Sequence, residues 1–170
     1  MKFKKKYITL IFVIFSFSFF TQNLSINDLF LFQKMNIGIV NDSLLSKKWK
    51  FYKSEEPTQT KYGETIWHFG KLEKNKIQAE SWFYLLSADS LPNRIIYQFQ
   101  KIEQFDFFRN ELKRSDFIEI GTEIADGGFI SYYKNQNYVI GTTVFPKENL
   151  NAFALTIYTL EDYLKIKQNK

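Results

Sequence analysis

The chain contains no cysteine. That absence excludes disulfide bonds, thiolate-ligated zinc, iron–sulfur clusters, thiol chemistry and a lipid attached through an N-terminal cysteine. Histidine is nearly as scarce: His68 is the only one, so neither a multi-histidine metal site nor an H-E-x-x-H signature can be assembled. The seven glycines build no phosphate-cradling loop; Gly121, Gly127 and Gly128 do not match one. No nucleophile-elbow context surrounds a serine, so nothing supports a Ser–His–Asp triad. Two of the three prolines, Pro57 and Pro92, fall in polar breaks between apolar stretches, where the missing N–H costs nothing. A length of 170 residues allows one ordinary domain, or two small modules sharing a core.

Aromatic side chains are what the chain has in excess: 19 Phe, 10 Tyr and 3 Trp. Part of that excess sits in residues 1–21, where Lys2, Lys4, Lys5 and Lys6 precede an uncharged run from Tyr7 to Phe20. This is the pattern of a secretory signal peptide, with Ser16 and Ser18 as the small pair or cleavage after Thr21. The run is 14 residues long, short of the roughly 20 that a spanning helix needs; left uncleaved, it would be the one point of membrane contact. Its loss removes four lysines and no acid, taking the net charge from +5 to +1. The remaining chain has too little concentrated positive charge for a nucleic-acid surface, and no nucleic-acid partner is expected. The expected location is exported, either periplasmic or secreted. A cysteine-free exported chain fits a bacterial setting, in which the sequons at Asn23 and Asn41 are incidental.

Beyond residue 21 the pattern runs helix, then strands, twice. Ser25 and Asp28 have capping-box spacing, with Leu24 and Leu29 at staple positions; Leu29, Phe32 and Met35 recur at helical spacing. Asn36–Gly38 reads as the end of that helix, and a second short one is expected from Asn41 or Asp42 to Lys47 and Lys48. Period-2 alternation predicts half-buried antiparallel strands at Trp49–Ser54, Glu64–Lys71, Ala79–Leu86 and Arg94–Gln100. Breaks fall at Glu55–Gly63, Glu73–Lys76 and Ser87–Asn93. The order then restarts with a helix at Gln104–Ser115 and strands at Phe117–Glu123, Phe129–Lys134, Asn137–Val144 and Ala152–Tyr158. Thr159 and Asp162 have capping-box spacing before a C-terminal helix carrying Leu160, Tyr163, Leu164 and Ile166.

The halves overlay in sequence. Trp49 to Glu55 matches Phe117 to Glu123 at an offset of 68, Phe69–Lys71 matches Tyr132–Lys134 at 63, and Ile95–Phe99 matches Phe153–Ile157 at 58. The expected fold is α+β: two tandem α-β-β-β-β units, residues 22–102 and 103–170, forming an antiparallel sheet backed by helices, with its other face open.

The run Leu44-Leu45-Ser46-Lys47-Lys48-Trp49-Lys50-Phe51, set between two helices and strands that then repeat, resembles the tandem helix-plus-four-strand architecture of the β-lactamase inhibitor protein and of small envelope modules with related topology. The segments Ala79-Glu80-Ser81-Trp82, Pro92-Asn93-Arg94-Ile95-Ile96-Tyr97-Gln98 and Asp126-Gly127-Gly128 with Tyr132-Tyr133-Lys134-Asn135 are similar to uncharacterised secreted proteins of flavobacteria. The first resemblance implies a concave, aromatic-rich sheet presented to a protein. It covers residues 25 to about 160. That inhibitor has stabilising disulfides, which this chain cannot form, and none of its contact residues maps onto a matched motif here.

Four constellations invite chemistry and have simpler readings. His68 faces opposite Trp67 and Phe69 in its strand and reads as a partly exposed strand histidine. Asp126-Gly127-Gly128 is too short for a calcium loop and reads as a chain reversal. Glu55 and Glu123 hold equivalent positions in the two halves, which repeat geometry explains more simply than a glycosidase pair. Lys47, Lys48, Lys113 and Arg114 fall at helix ends, where cations are favourable without a ligand. The expectation is therefore a non-enzymatic protein with no catalytic residue, no metal and no cofactor, binding a protein partner in the periplasm or envelope in an inhibitor- or immunity-like role. The candidate contact residues are Tyr52, Trp67, Trp82, Tyr84, Tyr132 and Tyr138, because Tyr and Trp concentrate at interface hot spots. A structural or assembly module of the envelope, or a small-ligand protein or enzyme, are the alternatives.

Overall fold

A computed structural model describes residues 24–58, 61–72, 79–89, 91–125, 127–146 and 152–168. The expected signal segment, the break at Glu73–Lys76 and Asp126 of the Asp–Gly turn lie outside these residues. Twelve elements follow in order: α1 (Ile26–Gln33), α2 (Ile37–Ser46), β1 (Lys50–Glu55), β2 (Gly63–Phe69), β3 (Ser81–Ala88), β4 (Leu91–Phe99), α3 (Ile102–Arg114), β5 (Ile118–Ala125), β6 (Gly128–Lys134), β7 (Tyr138–Phe145), β8 (Ala152–Thr159) and α4 (Leu160–Gln168). The fold is α+β, with one eight-stranded antiparallel sheet in the order β1-β2-β3-β4-β8-β7-β6-β5. Its middle is the β4–β8 ladder, which pairs Tyr97 with Leu155 and Ile95 with Ile157.

Local chemistry sets the helix ends. The Ser25 backbone N–H donates to Asp28 Oδ2 at 2.9 Å and the Asp28 N–H donates to Ser25 Oγ at 3.1 Å, a closed capping box of the kind worth about 1 kcal/mol. The staple residues Leu24 and Leu29 are both buried. Asn36 opens α2 rather than closing α1: its Oδ1 accepts from the Ile39 N–H at 3.0 Å. The second helix therefore starts several residues before the sequence suggests, because an asparagine suits an N-cap as well as a C-terminal stop. It ends in a Schellman motif, with the Trp49 N–H on the Leu44 carbonyl and the Lys48 N–H on the Leu45 carbonyl, both at 3.0 Å. Lys48 takes the left-handed position there, at φ 67°, where glycine is usual.

Strand alternation is realised as read, and the ladder shows which side is inner. Cross-strand partners share a face. Trp67, Phe83, Tyr97 and Leu155 form one row, and Leu85, Ile95, Ile157, Ile140 and Tyr133 the next. All are buried. Helices α1, α2 and α3 cover this inner face. Phe32 meets Phe83 edge-on at 5.6 Å, Val40 and Leu44 join the same cluster, Phe108 packs on Tyr97 and Phe99, and Phe105 stacks on Phe153 at 4.7 Å. Gln104 donates to the buried Tyr97 hydroxyl at 2.7 Å, satisfying both polar groups.

Helix α4 goes to the other side, so the outer face is not wholly open as expected. Arg94, whose side chain projects opposite to Ile95, grips Asp162 through Nε–Oδ2 at 2.6 Å and Nη2–Oδ1 at 2.8 Å. The Asp162 backbone N–H takes Thr159 Oγ1 at 3.2 Å, but its carboxylate serves Arg94 instead of closing the expected capping box. Pro92 also departs from expectation. It lies inside β4, at an end that pairs with β3 alone, where β8 has not yet joined the ladder, and an unpaired strand edge tolerates a missing N–H.

Candidate functional site

The two halves of the outer face differ. Over β5–β8, α4 covers Tyr132, Ile130 and Tyr158. Over β1–β4, α4 reaches Arg94 at the start of β4 through Asp162. Two rows stand on this half: Lys50, His68, Trp82 and Gln98, and beside it Lys53, Ile66, Tyr84 and Ile96.

Tyr52 joins them by alternation with Phe51, the inner partner of Trp67. The β1–β2 register then shifts between Phe51 and Lys53, so that Tyr52 and Lys53 both fall on the outer face. The Tyr52 ring meets Trp82 edge-on at 5.2 Å, so it belongs to the outer face, although 41% of the residue stays exposed. Trp82 also meets the His68 ring at 5.8 Å. The Tyr84 hydroxyl donates to Gln98 Oε1 at 3.4 Å. Lys53 pairs with Glu55 at 2.8 Å and Glu64 at 3.6 Å, framing the aromatics with a solvated ion network.

His68 is buried rather than partly exposed, since Trp82 and the flanking strands cover it. Its Nδ1 has no hydrogen-bond partner. Burial, with the Lys50 charge in second place, pushes its pKa down, against a hydrogen bond with the Gly70 backbone. The ring is therefore neutral at neutral pH. Burial likewise raises the Tyr84 hydroxyl, so it remains a protonated donor.

The six residues singled out from the sequence divide three ways. Tyr52, Trp82 and Tyr84 come together on the open half. Trp67 is fully buried on the inner face, with its indole N–H on Asn41 Oδ1 at 3.0 Å. Tyr138 is on that same inner face, stacked on Phe30 at 4.5 Å. Tyr132 is on the outer face but lies under α4, against the Tyr163 ring at 5.3 Å. Lys50, Gln98 and Ile96 are not among the residues the sequence points to. Their parity with Trp82 and Tyr84 is the signal that would have found them.

Other candidates disperse. Glu55 is on β1 and Glu123 on β5, the two edges of the sheet, seven strand intervals of about 4.8 Å apart. They form no carboxylate pair. Lys47 bonds Asp28 at 3.3 Å, apart from Lys113 and Arg114 at the end of α3. Among the described residues no helix is long and apolar enough to cross a membrane. No family model, no curated protein and no solved structure matches the chain.

Proposed function

We propose that the chain is a non-enzymatic exported binding protein that meets a protein partner through the outer face of β1–β4, in an inhibitor- or immunity-like role. The observation that carries this reading is the Tyr52–Trp82–Tyr84 group. Three amphipathic aromatics stand together on one sheet face, Tyr52 exposed and Trp82 and Tyr84 half-buried, with an ion network at the rim. An apolar centre with a polar rim is the anatomy of a protein interface.

The face belongs, in this proposal, to the first of two tandem helix-plus-strand units. Support comes from the bulges. They fall between Phe51 and Lys53 in β1 and between Glu119 and Gly121 in β5, the same offset of 68 that aligns the sequences. Followed across the ladders, the row Phe51–Trp67–Phe83–Tyr97 answers the row Glu119–Tyr133–Ile140–Ile157. This moves the β2/β6 match from an offset of 63 to 66, and the β4/β8 match from 58 to 60.

One observation favours the assembly-module alternative. The edge strand β5 exposes Ile118, Ile120 and Ile124, and open apolar edges invite pairing with another chain. The test is capture from a native envelope extract with Trp82→Ala and Tyr52→Ala variants alongside the unaltered protein. The proposed function predicts a stoichiometric partner that both variants lose while their circular dichroism is unchanged. Equal capture by all three would contradict it.

A further inference from the structure

We infer that the pocket between α4 and the outer face is a recognition site for a quaternary ammonium group, with the protein's own Lys167 as its resident occupant. The lining carries the argument. Tyr132, Tyr158 and Tyr163 present three aromatic rings, and Glu123 supplies the charge of opposite sign. Lys167 Nζ lies 4.9 Å from the Tyr132 ring centroid, 5.6 Å from that of Tyr163 and 2.7 Å from Glu123 Oε2. Tilted tyrosine rings around a cation, with Lys167 over those of Tyr132 and Tyr163 and one carboxylate closing the group, are the chemistry of an aromatic cage.

The carboxylate is held in advance of any ligand. The Tyr132 hydroxyl donates to Glu123 Oε1 at 2.7 Å, which fixes the carboxylate plane and leaves Oε2 toward the cation. Gly141 stands opposite Tyr132 in the ladder, and a Cβ there would be in ordinary contact with the ring, 3.4 Å from Cε1. Burial and the Glu123 contact both push the Tyr132 hydroxyl up, so it stays a donor across the physiological range.

Size selects the ligand class. The pocket these residues line has a volume of about 120 Å³ with Lys167 in place. The primary ammonium of Lys167 meets the rings of Tyr132 and Tyr163, whereas a bulkier trimethylated ammonium would fill more of that volume. Lys167 lies in the last turn of α4, where local opening is least costly, so a competing cation can displace it without lifting the helix from Arg94.

The probe is tetramethylammonium chloride, titrated at constant ionic strength into the full chain and into Lys167→Gln, with tyrosine ring resonances as readout. The unaltered protein should bind weakly and the variant about tenfold or more tighter, because its cage is vacated. Tyr163→Ala in the Lys167→Gln background should lose that gain. Choline and Nε-trimethyl-lysine form two further arms, and saturable binding of either at the same resonances supports the site. A direct measurement on the unaltered protein covers the case in which Lys167→Gln misfolds: tetramethylammonium should shift the Lys167 Nζ resonance and sodium should not. No saturable response in a folded variant, or identical responses to tetramethylammonium and sodium in the unaltered protein, would overturn the inference.

Discussion

Replacing Arg94 by methionine tests what holds α4 on the outer face, and so what divides that face into a covered and an open half. Arg94→Met keeps the length and apolar stem but removes the guanidinium fork. Asp162, only 3% exposed at its side chain, is then left with the Tyr62 hydroxyl at 3.5 Å. Removing one partner of a buried ion pair typically costs about 3–5 kcal/mol. The Arg94 side chain is 22% exposed, so the lower part of that range is expected, about 3 kcal/mol. The reverse change, Asp162→Leu, should cost less, about 1–2 kcal/mol. There Arg94 can turn its head to water and keep its seat over the Tyr62 ring, whose centroid is 4.2 Å from Cζ. The double variant should lose far less than the sum, giving a coupling energy of about 2 kcal/mol. Urea unfolding followed by tryptophan fluorescence reads all three, since Trp49, Trp67 and Trp82 all lie against the sheet. A loss below about 1 kcal/mol for Arg94→Met, or additive single variants, would refute the reasoning and leave α4 held by its apolar contacts.

Two further changes follow from local conformation and burial. Lys48→Gly should stabilise the protein by about 0.5–1 kcal/mol, because glycine relieves the left-handed backbone by more than it loses in chain entropy; a lower urea midpoint would contradict this. The His68 pKa is depressed below its ordinary value of 6.5, so folding favours the neutral ring. Its stabilising effect is complete above pH 6.5 and is lost as pH falls through the folded-state pKa. Stability measured from pH 8 to 4 should bend downward on the acid side of 6.5. His68→Phe should remove that component while leaving stability at pH 8 within about 1 kcal/mol, since Nδ1 has no partner to lose and only the hydrogen bond with the Gly70 backbone is given up; an unchanged acid limb would contradict it.

The strands were legible in the sequence because each alternates aromatic and branched residues against smaller or polar ones. The ladders keep that alternation apart from register shifts in β1, β3 and β5. Alternation separates two faces but does not label them. Trp67 and Trp82 look alike along the chain, yet one packs beneath α2 beside Asn41 and the other stands on the open face. The label comes from contacts distant in sequence, such as Phe32 with Phe83. The docking of α4 was illegible for the same reason: Asp162 carries a local capping signal, while its carboxylate answers Arg94, 68 positions earlier. The outward aim of Tyr52 follows from alternation with Phe51, but that Lys53 shares its face depends on a bulge that only the register with β2 reveals.

The open face is tested most directly by photo-crosslinking in the native envelope. A photoreactive phenylalanine analogue is placed at Tyr52 in one protein and at Leu31 in another. Leu31 is 55% exposed, on a helix that packs against the inner face. Partner binding through the outer face of β1–β4 predicts one discrete crosslinked protein from position 52 and none from position 31. Equal adducts from both positions, or adducts from position 31 alone, would contradict it.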